Sequence, residues 1–390
     1  MQPLWQHYVF ERGQGLYNTW DLLFESRPIR LLYIAGRGFD VRAKYVMQAF
    51  ADNIRQSRPF VEKADLLLVG FSRYEMSDDL KDETERNAKA LENIFKDLGS
   101  MQTVSISSSA AGEDDLSASN ALRLGVDNVL QHINNQTDIV LDASSLPRVV
   151  YLALMTGILD RLIRDKKAVN PLFAEGVNFQ VLVAEDAALD SQIRSEDPSN
   201  DLILVPGFSS ALHAESFQHW PLVWFPILGE NRVSQFQKVL SLAEIPKEAE
   251  ICPVLPCPSR DPRRADRLLV EYKASLFDTR ETATANILYA HETNPFAAYR
   301  QMLLAMRRYR ESMSIIGGCR LVVTPLGSKL ITLGAGLACF EMRPTDMDQN
   351  YCVAIPYAEA SRYVVSLETL HSSRPEVSGL LLTGDAYKDG

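Results

Sequence analysis

The sequence predicts an α/β protein built of two Rossmann-like halves, and three observations carry that expectation. Short, continuous apolar runs alternate with longer amphipathic stretches along the 390-residue chain, the pattern of parallel strands covered on both faces by crossover helices. Several of these runs empty into a glycine, serine or proline turn at a helix start, as strands do at the ligand-binding end of an open sheet. A polar stretch without apolar period, 186–201 (DAALDSQIRSEDPSND), interrupts the pattern near mid-chain. The expected domains are therefore 1–190 and 200–390, with 186–201 as the linker.

In the first half, residues 1–28 are rich in aromatics (Trp5, Tyr8, Phe10, Tyr17, Trp20, Phe24) and are expected to lie across the domain body. Strands are expected at Leu31–Ala35, Ala64–Phe71, Met101–Ser107, Asp138–Asp142 and Phe179–Glu185. Helices are expected near 43–56, 81–98, 116–133 and from 149 onward, with 107–119 a polar, acidic loop or helix start. The second half repeats the plan, with strands at Leu202–Val205, Leu222–Phe225, within Glu250–Pro258, and at Ile287–Ala290, Arg320–Val323 and Tyr351–Ile355. Laid side by side, IAGRGFD corresponds to VPGFSS, and LDASSLPRVVYLALM to VTPLGSKLITLGAG. This reads as a tandem duplication of one Rossmann-like unit.

Composition narrows the function. Hydrophobic residues make up 46% and charged residues 23%, as in soluble globular proteins. A net charge of −10 argues against binding nucleic acid through bulk charge. The basic clusters Arg260–Arg267 and Arg307–Arg310 read as solvated faces. No run approaches the ~18 apolar residues of a membrane span, and the N-terminus lacks a basic segment followed by an apolar one, so a cytoplasmic protein is expected. The five cysteines include one close pair, Cys252 and Cys257, set among prolines without histidine partners; reduced buried thiols are expected rather than a zinc site.

The sharpest cluster of candidate residues is Gly36, Gly38, Phe39, Asp40 and Arg42. Glycines after a strand admit a ligand to the backbone, and Asp40 could accept from a ribose or an amine; equally, Asp40 could cap the following helix. Ser144, Ser145 and Arg148, and Ser328 and Lys329, stand where a strand-to-helix loop offers N–H groups and a cation to an anion. His291, Glu292 and Asn294 end a strand and suit acid–base work, although Asn294-Pro295 is also a helix start. Glu230 lies at another strand end, and with His291 it would form the catalytic pair of an enzyme. Walker A, H-E-x-x-H and G-x-S-x-G patterns are absent, and Gly207-Phe208-Ser209-Ser210 lacks the second glycine of a nucleophile elbow.

Two resemblances follow from these motifs. AGRGFDVRA resembles the first motif of S-adenosylmethionine-dependent methyltransferases, which implies that cofactor at Gly36–Asp40. The family's second strand usually ends in an acid, whereas here Val69-Gly70-Phe71-Ser72-Arg73 has none before Glu75. TPLGSK resembles the small-residue and lysine loop of CARF-type Rossmann sensor domains, and two such units in one chain resemble the SAVED arrangement of bacterial antiviral signalling. That resemblance implies a sensor for a nucleotide-like, phosphate-bearing ligand, working with a protein partner in an anti-phage assembly. Two Rossmann-like halves facing each other across a crevice lined by the carboxyl ends of their strands are expected to bring Gly36–Asp40, Ser144–Arg148, Glu230, His291–Asn294 and Ser328–Lys329 together there. The alternatives are an enzyme, either a methyltransferase or a nucleotide-modifying enzyme, and an inactive scaffold that docks a protein partner.

Overall fold

The computed structural model describes residues 2–25, 27–71, 75–106, 117–163, 168–213, 217–345 and 350–388. The expected acidic loop over 107–119 falls largely outside them, as do Ser72 and Arg73. The chain divides into two units, Met1–Ile193 with Val364–Gly390, and Arg194–Tyr363.

In chain order the first unit contains β1 (Val9–Arg12), α1 (Gln14–Phe24), β2 (Ile29–Arg37), α2 (Arg42–Ser57), β3 (Val61–Phe71), α3 (Asp78–Phe95), β4 (Ser100–Ile106), α4 (Ala118–Leu130), β5 (Asp138–Asp142), α5 (Arg148–Leu162), β6 (Asn178–Glu185) and α6 (Ala187–Gln192). The second unit contains β7 (Arg194–Ser209), α7 (Ser210–His213), β8 (Leu222–Ile227), α8 (Val233–Leu242), β9 (Glu250–Ile251), β10 (Val254–Pro256), α9 (Arg264–Glu271), β11 (Leu288–Ala290), α10 (Pro295–Met313), β12 (Cys319–Pro325), α11 (Lys329–Glu341) and β13 (Tyr351–Val364). The chain then returns to the first unit with α12 (Leu367–His371) and β14 (Glu376–Thr383).

The first sheet runs β1-β14-β6-β5-β2-β3-β4. Its five strands from β6 to β4 are parallel, while β14 runs antiparallel to β6 and β1 antiparallel to β14. The second sheet runs β11-β10-β8-β12-β13-β7, with β9 also paired to β8. Its contacts between β11, β10, β8, β12 and β13 are parallel. Both units therefore share one doubly wound order. The first parallel strand lies in the middle, the next two go to one side, and the chain then crosses to the other. The reversals fall between β2 and β5 and between β8 and β12.

Three expectations are corrected. The second domain does not run to 390, because Val364–Gly390 belongs to the first unit. The apolar run Gly379–Leu382 completes that unit's sheet, the Trp5 indole N–H donates to Leu382 O at 3.0 Å, and the Tyr387 hydroxyl donates to Leu381 O at 2.7 Å. The unit boundary between Ile193 and Arg194 falls within 186–201 as expected, but the stretch is not a bare linker, since α6 and the start of β7 occupy it. The pairing of IAGRGFD with VPGFSS also fails. VPGFSS lies on the long edge strand β7, and the counterpart of β2 in strand order is β8. The second pairing holds: β5 leads to α5 as β12 leads to α11.

Local chemistry explains the frame. Ser77 caps α3, with Asp78 and Asp79 in its first turn, where carboxylates favour the helix dipole. Trp20, Phe24 and Tyr33 pack edge-on around Phe50, with ring centroids 5.1–5.8 Å apart, between α1, α2 and the first sheet. The α5 and α11 helices are apolar on every face, and nearly every residue from Val149 to Leu159 and from Leu330 to Phe340 is buried. Four of the five cysteines are buried and free, Cys257 being exposed. Burial pushes the Cys319 thiol up to about 11 and those of Cys252 and Cys352 up to about 12.

Candidate functional site

In an open α/β sheet the ligand end lies where the strand order reverses, at the carboxyl ends of the two middle strands. Each unit has one such junction.

In the first unit, β2 delivers Gly36 and Gly38 against the loop that follows β5. A Cβ on Gly36 would lie 2.7 Å from Ser145 Oγ and 2.9 Å from the Ser145 carbonyl carbon, and one on Gly38 would lie 3.3 Å from Ser145 O. The Ser145 hydroxyl donates to Gly36 O at 3.0 Å, and Asn87 Nδ2 donates to Gly38 O at 3.0 Å. The neighbouring loop therefore accounts for both glycines. Phe39 is buried. Asp40 accepts from the Arg42 backbone N–H at 3.0 Å, from Arg42 Nε at 2.9 Å and 3.0 Å, and from Arg42 Nη2 at 2.6 Å. Arg42 Nη1 reaches Asp190 Oδ1 at 2.7 Å, and Arg42 is only 2% exposed. Burial opposes the Arg42 charge, but the carboxylates of Asp190 and Asp40 outweigh it and raise its pKa. The fully buried Ser144 donates its own N–H to Asp142 Oδ1 at 2.9 Å, and its hydroxyl oxygen accepts from the Ala184 N–H at 2.9 Å. Arg148 opens α5 and is half-buried. The structure thus brings Gly36–Arg42 and Ser144–Ser145 together, joined to each other and to the frame by these contacts.

The second junction joins the loop after β8 to the loop after β12. A Cβ on Gly229 would overlap the Leu326 carbonyl oxygen, and one on Gly327 would lie 2.6 Å from Ile227 Cγ2. The Tyr272 hydroxyl holds Gly229 O at 2.8 Å. Next to Gly229, Glu230 accepts both Arg264 Nε at 2.6 Å and Arg264 Nη2 at 2.7 Å, a bidentate pair. Arg264 Nη1 also reaches Glu292 Oε1, and Glu292 Oε2 accepts from the Arg260 N–H at 2.7 Å. Burial alone pushes the Glu230 carboxyl up, but the Arg264 hydrogen bonds and charge outweigh it, so its pKa lies below the ordinary value.

His291 does not join Glu230. Its Nδ1 accepts from the Thr293 N–H at 3.2 Å, and it is Glu292 that meets Glu230 through Arg264. Asn294 Oδ1 accepts from the N–H groups of Phe296 at 3.0 Å and Ala297 at 3.1 Å, with Pro295 at the first helical position, so it caps α10. The expected catalytic pair is thus a carboxylate locked to an arginine and a histidine at a helix start.

Ser328 and Lys329 stand where β12 turns into α11. Ser328 is the N-cap residue, yet its side chain makes no capping bond, and its buried Oγ has no hydrogen-bond partner among the described residues. Thr332 lies one turn on and is 0% exposed, and its Oγ1 is likewise without a partner among them. Helical side chains lean toward the N-terminus and residues four apart share a face, so Thr332 overlies the first turn beside Ser328.

Sequence reasoning missed Arg264 and Thr332. Arg264 was taken as part of a solvated basic run, but it precedes the fully buried Leu268 by four residues and so shares its face. Thr332 was legible as a hydroxyl inside the apolar text KLITLGAG. Among the described residues no group of three or more His, Cys, Asp or Glu could hold a metal ion, and no helix is long and apolar enough to cross a membrane.

No protein-family model matches the chain, and no curated protein matches it. Among solved structures, a candidate UDP-N-acetylglucosamine 2-epimerase from Listeria monocytogenes is similar over 76% of this chain and 74% of its own, at 12% identity and a TM-score of 0.22. That similarity carries no argument about function; the fold rests on the strand orders.

Proposed function

We propose that the chain binds a nucleotide-like, phosphate-bearing ligand at the β12–α11 junction, as a cytoplasmic sensor or partner in a bacterial anti-phage assembly. One observation carries the ligand reading: the hydroxyls of Ser328 and Thr332 are buried at the start of α11 without hydrogen-bond partners among the described residues. A buried hydroxyl left unpaired costs about 1–3 kcal/mol, so two on one face of a helix start are a demand that a ligand would meet. The same turn carries the positive end of the α11 dipole and the Lys329 side chain, both of which favour a phosphate. The sensor and defence setting rests on the CARF- and SAVED-type resemblance of TPLGSK.

The acid–base alternative has less support, because Glu230 is already spent on Arg264. The methyltransferase alternative has less support as well, because Asp40 is spent on Arg42.

The test is thermal unfolding against S-adenosylmethionine, NAD, nucleoside triphosphates and cyclic oligonucleotides, on wild type, Ser328→Ala, Lys329→Ala and Ser145→Ala. A ligand at 100 times its Kd stabilises the folded state by about 2.7 kcal/mol. A nucleotide is expected to raise the midpoint of wild type and Ser145→Ala, and to lose that effect in Ser328→Ala and Lys329→Ala. Shifts retained in both α11 variants, or no shift from any compound, would refute the proposal.

A further inference from the structure

The first unit holds a second cluster, beside α2, α3 and α12. A cleft of about 290 Å³ is lined by Val41, Lys44, Tyr45, Gln48, Ile94 and His371, contributed by α2 and its cap, α3 and α12. That volume is near the lower end for small-molecule sites. Two of the lining residues are basic, and both are tied to one carboxylate, that of Glu83 on α3. Glu83 is 1% exposed, and neither of its oxygens has a hydrogen bond among the described residues. Three basic groups lie around it instead: Arg86 Nε at 3.1 Å, His371 Nε2 at 3.4 Å and Lys44 Nζ at 3.8 Å.

A single buried carboxylate thus faces two permanent cations and a histidine, so the group of charges around Glu83 carries surplus positive charge, and Lys44 and His371 present it to the cleft. At 3.8 Å the Lys44 ammonium is attracted to Glu83 without spending its donors on it. The nearest acid on the same helix face, Asp52, accepts from Gln48 Nε2 at 2.7 Å and from Arg55 at 3.1 Å. The remaining lining, Val41, Ile94 and the Tyr45 ring, is largely apolar. A charged rim over an apolar wall selects a ligand with one anionic group on an apolar body.

We infer that this cleft binds a small organic anion, whose carboxylate or phosphate is taken by Lys44 and His371 while its apolar body lies on Val41, Tyr45 and Ile94. Glu83 is the positioning residue: it holds the Lys44 and His371 side chains at the rim. The C-terminal return supplies His371, so the site exists only because α12 docks on the first unit. This inference belongs wholly to the first unit and does not rest on the β12–α11 junction.

The experiment is NMR of the full chain labelled at the histidine Cε1, titrated with benzoate, phenyl phosphate and inorganic phosphate. The chain has six histidines, and the His371 signal is the one missing from His371→Gln. Benzoate or phenyl phosphate is expected to move that signal saturably. Lys44→Met is expected to weaken binding roughly tenfold, the worth of one charge-assisted hydrogen bond. Calorimetry on His371→Gln gives a second reading, with a similar loss expected. Both side chains are partly exposed, at 28% and 51%, and Arg86 stays beside Glu83 in each variant, so both are expected to fold, with a melting midpoint somewhat below that of wild type. No saturable shift with either organic anion, or unchanged affinity in both variants, would overturn the inference. Inorganic phosphate binding as tightly as phenyl phosphate would overturn the apolar half of it.

Discussion

The two junctions are built alike and finished differently. In each, a glycine after the first parallel strand is required because the backbone of the loop after the fourth strand presses on it: Gly36 against Ser145, Gly229 against Leu326. In each, an arginine bridges two carboxylates, Arg42 between Asp40 and Asp190, and Arg264 between Glu230 and Glu292. At the start of the next helix the likeness ends. Ser144 and Ser145 both have hydrogen-bond partners within the first unit, whereas the Ser328 and Thr332 hydroxyls have none among the described residues. The buried helix threonines differ in the same sense, since Thr156 of α5 donates to Leu152 O at 2.9 Å. A shared fold therefore does not imply a shared site. The difference lies in which polar groups the chain satisfies by itself.

The comparison can be broken first at the arginines. Arg42→Ala removes the guanidinium that meets the buried Asp40 carboxylate, and a cost of about 3 kcal/mol is expected in urea unfolding, the lower end for a broken buried pair. Arg264→Ala should cost less, because Arg264 and Glu230 are both more exposed than Arg42 and Asp40; equal losses would undo the ranking. Alanine at Gly229 drives a Cβ into a carbonyl oxygen, and at Gly36 it crowds a serine. A loss of about 3 kcal/mol is expected for Gly229→Ala and somewhat less for Gly36→Ala, within the range for overpacking. Adding Ser145→Ala to Gly36→Ala should recover only part of the loss, since the Ser145 backbone stays close.

The pH dependence of stability gives a smaller effect with a definite sign. The Glu230 carboxyl is held below its ordinary value of about 4.3. Its contribution is therefore fully present above that value and lost as pH falls through the folded-state value. Glu230→Gln is expected to flatten this acid limb of the stability curve, measured by urea unfolding between neutral and acid pH. An unchanged limb would mean that the Arg264 pair contributes nothing to it.

Much of this frame was legible in the sequence. The strands β2, β3, β5 and β6 carry continuous apolar runs, because helices cover both faces of a parallel sheet, and the glycine at the end of β2 marks the junction. Strand β14 carries the same signal in GLLL but escaped, because its place beside β6 depends on a chain return that no local pattern encodes. VPGFSS imitates IAGRGFD because it has a glycine and a phenylalanine, whereas the equivalent β8 ends in Pro226-Ile227 and only Leu228 separates it from Gly229. The roles of Asp40 and Glu230 were legible as strand-end carboxylates but not as occupied ones. Occupancy depends on Arg42 in one case and on Arg264, 34 residues away, in the other.

The central claim is that α11 keeps hydrogen-bonding capacity unspent. Its most direct test is the thermal midpoint of Thr332→Val, an exchange of close to equal volume, beside Thr156→Val. Removing an unpaired buried hydroxyl is expected to stabilise the ligand-free protein by about 1 kcal/mol, whereas removing the paired hydroxyl of Thr156 is expected to destabilise it by a similar amount. A rise for Thr332→Val with a fall for Thr156→Val is the predicted result. A fall for both would show that the Thr332 hydroxyl is already satisfied, and would contradict the claim.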